Sequence, residues 1–415
     1  MHAEDPVVVV GGGPAGLACA IELRRRGVGG VLVLEREARA GGIPRHSAHQ
    51  GFGVRDLRRV MSGPRYAERY RERARRAGAR VEEHAMVTGW SPASGLEVTS
   101  PAGRDALSPR VVVLATGCRE RPRAARLVAG SRPDGVMTTG MLQQLVELGG
   151  ERVAGRALVV GAEHVSFSAL LTLRRAGADV VAIVTERPRH QSLAVVRAAA
   201  AARYRTPLWT RTAVRAIHGD PRVEGVELED LESGATRTLA CETVIFTADW
   251  IPDHELAAIG GLELDAGTRG PRVDTALRSS RPGVLAAGNL VHAAEPADVA
   301  ALSGRHAGAS AARWLSGASG WSAAAIPITC RPPLGWISPN ALAPMPEAPP
   351  RGRFLLRSSV FLRRPRIEIK QGERRLWRGS VARLGPGRSV GLPAGWRARV
   401  DPAGGAIEVA LVQAR

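Results

Sequence analysis

The chain has 415 residues, of which 44% are apolar and 23% charged; this is ordinary globular usage, sets an expectation of two or three domains and excludes global disorder. Its 58 basic against 39 acidic side chains give a formal charge of +19, but nearly all of the excess is arginine spread along the chain with little aromatic interleaving, so no nucleic-acid partner is expected. The four scattered cysteines, Cys19, Cys118, Cys241 and Cys330, form no C-x-x-C, zinc or iron–sulfur spacing, so no metal site is expected.

No apolar run reaches the ~18 residues that a membrane-spanning helix needs. The start, Met1 to Asp5, lacks the basic segment and apolar core of a signal peptide, which makes the cytoplasm the expected location. Val7–Val10 reads as a buried strand and Pro14–Arg26 as a helix ended by Gly27, Gly29 and Gly30. Val31–Leu34 is the next strand, so the chain opens with a βαβ unit, which implies a parallel sheet. Val111–Ala115 is another apolar strand. Ala157–Val160, a helix over His164–Arg175, and Val180–Val184 form a second βαβ unit. Val244–Thr247 and Val284–Ala286 read as strands and Asp298–Leu315 as an Ala-rich helix. Residues 317–350 are rich in proline and read as an extended, irregular connector. Alternating apolar residues over Phe354–Phe361, Arg366–Lys370, Arg375–Ser380 and Ile407–Val412 predict a small β module.

The first βαβ unit carries Gly11-Gly12-Gly13-Pro14-Ala15-Gly16, a G-x-G-x-x-G motif between strand and helix. Gly11 permits the tight turn, Gly13 lets backbone approach a pyrophosphate, and Gly16 allows close helix–strand packing. The helix N-terminus then offers free N–H groups and a favourable dipole to the phosphates. Glu35 stands 19 residues after Gly16, at the end of the next strand, where a carboxylate accepts hydrogen bonds from a ribose.

With these residues the chain resembles the flavoproteins with two dinucleotide-binding domains, the glutathione and thioredoxin reductase superfamily. Gly41-Gly42, Ala115-Thr116-Gly117, the segment Ala157 to Ser166, and Pro282-Gly283-Val284-Leu285-Ala286-Ala287-Gly288-Asn289 match further motifs in the same order. The resemblance covers residues 5–316. It implies an α/β fold of two Rossmann-like, three-layer domains, the second inserted in the first. The FAD-binding domain is expected over 1–120 and 245–316, and an NAD(P)-binding-like domain over 121–244. The connector then spans 317–350 and the C-terminal β module 351–415. The resemblance implies FAD held by Gly11, Gly13, Pro14, Ala15, Gly16, Glu35, Arg36, Gly42, Val87, Thr116, Gly117, Gly288 and Asn289. Asn289 replaces the usual aspartate at the ribityl chain.

Further segments, Gly51-Phe52-Gly53, Gly63-Pro64 with Tyr66-Ala67-Glu68-Arg69, and Gly117-Cys118-Arg119-Glu120-Arg121, resemble flavoprotein subunits of bacterial amine, opine and hydroxyproline dehydrogenases. Many of those carry iron–sulfur cysteines, which this chain lacks.

The second motif reads Gly161-Ala162-Glu163-His164-Val165-Ser166. Glu163 stands where a glycine normally admits the pyrophosphate. Two unit charges about 4 Å apart repel by ~4 kcal/mol at an effective dielectric of 20, and the helix dipole returns only about 0.3–1 kcal/mol. NAD(P) is therefore a doubtful ligand. Either Glu163 satisfies the helix N-terminus itself and blocks the site, or it turns outward and NAD(P)H still binds.

The spacing that gives disulfide reductases of this superfamily their redox cysteines places Pro44 and His49 here, so that dithiol chemistry is excluded. His49 and His46 are the candidate catalytic bases, able to take a proton from an amine or alcohol; the alternative for each is a hydrogen-bonded loop histidine. Arg45 is a candidate carboxylate anchor, and His292 and Glu295 candidate ring-lining groups. Cys118 reads as a packing thiol. The expected function is an FAD-dependent oxidoreductase, a dehydrogenase component oxidising a small organic substrate such as an amine, amino acid or hydroxy acid. Its electrons would pass to a quinone, oxygen or a partner subunit. The alternatives are an NAD(P)H-dependent flavin reductase and a flavin-containing subunit without turnover.

Overall fold

The computed structural model describes residues 7–91, 95–153, 155–192, 198, 202–293, 295–321, 325–343 and 347–412. The chain divides into two compact units. One comprises Met1–Arg45, Gly51–Cys118 and Pro252–Arg415; the other comprises His46–Gln50 and Arg119–Ile251.

In the first unit four consecutive valines, Val7–Val10, form the centre of a five-stranded parallel sheet. Such a strand is apolar on both faces because layers cover both sides of a parallel sheet. The order is Val284–Ala286, Val111–Leu114, Val7–Val10, Val31–Leu34, Arg80–Glu82. Val10 pairs with both Leu34 and Leu114, so the residues that follow these three strands emerge together at one edge. The connections diverge to either side of Val7–Val10, which makes that edge a topological switch point, the place where open α/β sheets bind ligands. An antiparallel sheet of Met86–Trp90, Leu96–Ser100 and Gly103–Leu107 supplies another layer.

On the helical side, the helix Pro14–Arg25 packs against the late helix Ala297–Leu315 through small residues. A Cβ added to Gly304 would lie 1.8 Å from the Ala15 carbonyl oxygen, and one on Gly308 2.6 Å from that of Cys19. These backbones touch only because both positions are glycine.

The first unit also contains a C-terminal β module with a core of its own, including Ile328, Phe354, Ile367, Trp396 and Val409. One sheet has the order Ala341–Leu342, Ile326–Cys330, Ile407–Leu411, Arg366–Gln371, Arg374–Ser380. A second has Leu334–Ser338, Arg353–Ser358 and Val390–Pro393. The expectation of an irregular connector over 317–350 is thus corrected. Among its described residues lie three strands, and Ile326, Ile328, Leu334 and Ile337 are buried in the module's core. Proline composition masked this alternation. The charge reading is corrected too: residues 351–415 carry 15 basic against 4 acidic side chains, so the excess is concentrated in the tail.

The second unit repeats the parallel plan with the order Val136–Thr138, Thr243–Phe246, Arg156–Val160, Asp179–Val184, Leu208–Trp209. The helix His164–Ala176 follows Arg156–Val160, and an antiparallel sheet of Thr212–His218, Gly225–Asp230 and Thr236–Ala240 accompanies it. Both Rossmann-like sheets are therefore present. Among the described residues no helix is long and apolar enough to cross a membrane.

Candidate functional site

Gly11 leaves the central strand with φ +105°, and a Cβ there would lie 2.5 Å from the Ala115 carbonyl oxygen. Gly16 is tighter, because its Cβ would meet the Gly11 carbonyl oxygen at 1.9 Å. Only glycine lets helix and strand approach so closely at these two positions. Gly13 differs. A Cβ there would find nothing nearer than the Gly42 Cα at 4.0 Å. The space beside Gly13 is open, and no side chain caps the helix that begins there. No acidic residue occupies its first turn. The uncapped N–H groups of a helix start attract an anion. This cradle, bounded by Gly13 and Gly42, fits the pyrophosphate of a dinucleotide.

Glu35 is 6% exposed. Its Oε2 accepts from Gly12 N at 3.0 Å and its Oε1 from Glu37 N at 2.9 Å. Burial raises its pKa, and the two backbone hydrogen bonds oppose that rise. The carboxylate is thereby oriented, with lone pairs left on each oxygen for ribose hydroxyls. Arg36 is an exposed neighbour whose guanidinium lies 3.8 Å from Asp253 and 3.9 Å from Glu37. Val87 is buried in the antiparallel layer.

Thr116 donates from Oγ1 to the Asp253 carbonyl at 2.7 Å, and Asp253 N returns a bond to the Gly117 carbonyl at 3.0 Å. Gly117, at φ +83°, has nothing within 4 Å of an added Cβ. Gly288 has φ +70°, and its Cβ would meet that of Ala15 at 2.6 Å. Gly11, Gly13, Glu35, Gly42, Thr116, Gly117, Gly288 and Asn289 all fall within the first unit. The Asn289 amide is committed locally: Nδ2 donates to the Glu295 carbonyl at 3.0 Å, and Oδ1 accepts from Glu295 N at 3.1 Å. One N–H and one lone pair remain for a ribityl hydroxyl.

Three features of this region had no signal in the sequence. Arg55 reaches the buried Asp298, with Nη1 3.0 Å from Oδ2 and its backbone N–H on the same oxygen. Tyr66 and Tyr70 both donate to Asp56 at 2.6 Å. Glu295 is paired by Arg357 of the β module at 3.2 Å. His292 is buried and stacked on Trp336, with ring centroids 5.3 Å apart. Burial lowers its pKa; Glu295 opposes that shift and Arg357 adds to it.

His46 and His49 lie in the segment grouped with the second unit. His46 is buried. His49 Nδ1 lies 2.8 Å from the Gln50 carbonyl oxygen. A carbonyl only accepts, so Nδ1 is the donor of this bond. Arg45 Nη1 donates to the Arg39 carbonyl. All four cysteines are free thiols, and Cys118 is buried.

The second motif is built differently. Glu163 is the N-cap of the helix His164–Ala176. Its own N–H donates to Ser166 Oγ at 3.0 Å, and its carboxylate completes a capping box on the Ser166 N–H. Trp250 Nε1 donates to Glu163 Oε2 at 3.3 Å. Ser166 Oγ in turn contacts Thr247 Oγ1 at 2.6 Å. Nearby, Glu120 accepts from Gly140 N at 2.7 Å, and burial pushes its pKa up to about 7.

Residues 5–304 match the family model described as pyridine nucleotide-disulphide oxidoreductase. A thioredoxin reductase of Treponema pallidum is 27% identical over 305 residues, covering 70% of this chain and 90% of its own. The sarcosine oxidase subunit alpha of Corynebacterium sp. (strain P-1) is 30% identical over 331 residues, covering 74% of this chain but only 30% of its own. The crystal structure of T. acidophilum thioredoxin reductase superposes with a TM-score of 0.63 at 21% identity, covering 77% of this chain and 100% of that one, which is a likeness of fold. With its glycine cradle, its oriented Glu35 and this match over most of its length, the chain belongs to the pyridine nucleotide-disulphide oxidoreductase family and is an FAD-dependent oxidoreductase.

Proposed function

We propose that this flavoprotein is a dehydrogenase component that oxidises a small organic substrate, an amine, amino acid or hydroxy acid, rather than a nicotinamide-driven disulfide reductase. The observation that carries the reading is Glu163, whose carboxylate occupies the helix N-terminus at the second dinucleotide motif. A pyrophosphate there would have to displace an anion that already satisfies the helix. The lack of any C-x-x-C agrees, because a disulfide reductase needs a dithiol to relay electrons. The 30% identity to a sarcosine oxidase subunit also favours an organic substrate.

In this reading Gly13 and Gly42 seat the pyrophosphate, and Glu35 the adenosine ribose. Arg36, Val87, Thr116, Gly117, Gly288 and Asn289 complete the cofactor site. Bound FAD supplies the two-electron acceptor, and a quinone, oxygen or a partner subunit takes the electrons onward. His49, with His46 as the second candidate, is the residue this reading assigns as the base that takes a proton from the substrate nitrogen or oxygen. The test is an anaerobic absorbance titration of the purified holoprotein with NADH, NADPH and a panel of amines, amino acids and hydroxy acids. Bleaching by an organic substrate and slow bleaching by both nicotinamides supports the reading. Fast bleaching by micromolar NADH or NADPH alone favours the second reading, a nicotinamide-driven flavin reductase, to which the family match lends weight.

A further inference from the structure

The late flavin motif is followed by a loop that is gripped from outside the region matched to the family. Asn289 fastens the loop internally to the Glu295 main chain. The Glu295 carboxylate, only 8% exposed, is held by Arg357 at 3.2 Å and by Ser389 Oγ at 2.5 Å. His292, three residues earlier, stacks on Trp336. All three gripping residues come from the C-terminal β module. Trp336 and Arg357 are direct cross-strand partners in its three-stranded sheet, so their side chains share one face. The Arg357 guanidinium also lies over the Trp336 ring, 4.9 Å from its centroid. Ser389 immediately precedes that sheet's third strand, Val390–Pro393.

The chemistry gives this arrangement a purpose beyond packing. A carboxylate as buried as Glu295 is tolerated only when paired and hydrogen-bonded. Its partners lie in the module, and its main chain fixes Asn289. The position of Asn289 is therefore coupled to Arg357 through one residue. We infer that the C-terminal β module is a working part of the flavin site, a clamp in which Arg357 is the positioning residue that holds the Glu295–Asn289 loop where bound FAD requires it. The module is then no detachable docking appendage.

The experiment measures FAD affinity of the apoprotein by flavin fluorescence quenching, well below the melting midpoint of every variant, together with the visible spectrum of the holoprotein. Arg357→Met should raise the FAD dissociation constant by about tenfold or more and shift the flavin bands, as expected for losing a charged hydrogen bond. Arg357→Lys should recover part of the affinity. Arg313→Met is the control. It breaks the ion pair with Glu347, away from this loop, and should lower the melting midpoint while leaving FAD affinity within about twofold of the parent. If Arg357→Met does not fold, Ser389→Ala removes one hydrogen bond and should weaken FAD by about threefold or more. Parental affinity and spectrum in Arg357→Met, or in Ser389→Ala where that variant is used, would overturn the inference and reduce the contact to module packing.

Discussion

Trp250 donates its indole N–H to the carboxylate of Glu163 at 3.3 Å, and this bond holds an anion at the start of the helix His164–Ala176. The first dinucleotide motif has no counterpart. There Gly13 is the N-cap, no side chain closes the helix, and open space lies beside it. One residue type at equivalent positions separates a helix start that welcomes a phosphate from one that has supplied its own anion.

Gly13→Glu tests the equivalence directly. Gly13 has φ −76° and ψ −175°, an extended conformation open to any residue, and its Cβ direction is clear to 4.0 Å. The variant should fold, with a parental far-ultraviolet circular dichroism spectrum. It should purify without flavin, because the new carboxylate stands in the pyrophosphate cradle. A yellow Gly13→Glu protein with parental 450 nm absorbance (~1 FAD per chain, the stoichiometry of a single cradle) would contradict this.

Glu163→Ala removes a capping box and an indole hydrogen bond. It should destabilise the protein by about 1 kcal/mol, within the range of N-cap losses. Urea unfolding at saturating FAD reads this. The same variant should bind nicotinamide nucleotides more tightly than the parent, so stability and nucleotide affinity should move in opposite directions.

Glu120 makes stability depend on pH. Burial raises its folded-state pKa to about 7, against about 4.5 for the carboxyl in the unfolded chain. Between those values the folded state binds a proton that the unfolded state has released, so stability falls as pH rises. The contribution is fully present below about pH 4.5 and is lost through about pH 7. It amounts to roughly 3 kcal/mol at most. Glu120→Gln keeps an oxygen for the Gly140 N–H and should flatten this part of the melting-midpoint profile. An unchanged slope would show that Glu120 is ionised in the fold.

His49→Ala should slow substrate-driven flavin reduction by roughly 10²–10⁴-fold while leaving FAD content near parental. The loss should shrink at high pH, where hydroxide competes for the proton. Stopped-flow reduction at the parental rate would remove His49 from the chemistry and bring His46 forward.

The first cradle was legible in the sequence because its causes are local. Four valines, three spaced glycines and an acid one strand later encode strand, turn and ribose contact within about thirty residues, the length of one βαβ unit. Glu163 was legible as an anion at a helix start for the same reason. The clamp on Glu295 was not. Arg357 lies 62 residues away in sequence, and nothing in the local pattern at either end names the partner. Asn289 was read as a ribityl ligand, and its bonds to the Glu295 main chain depend on a loop path that no periodicity encodes. The strands at Ile326–Cys330 and Leu334–Ser338 were hidden because proline content outweighed a short alternation. The buried partners in the tail arise from sheet register, which one sequence does not specify.

The most direct test of the account compares parent and Glu163→Gly in an anaerobic titration with NADPH and NADH, followed at the flavin band. With Glu163 closing the second site, the parent should reduce slowly, and Glu163→Gly should gain roughly tenfold or more in apparent nicotinamide affinity, the direction set by removing a ~4 kcal/mol repulsion. Rapid reduction of the parent at micromolar NADPH or NADH, with Glu163→Gly unchanged, would show that the second site is open and would contradict the account.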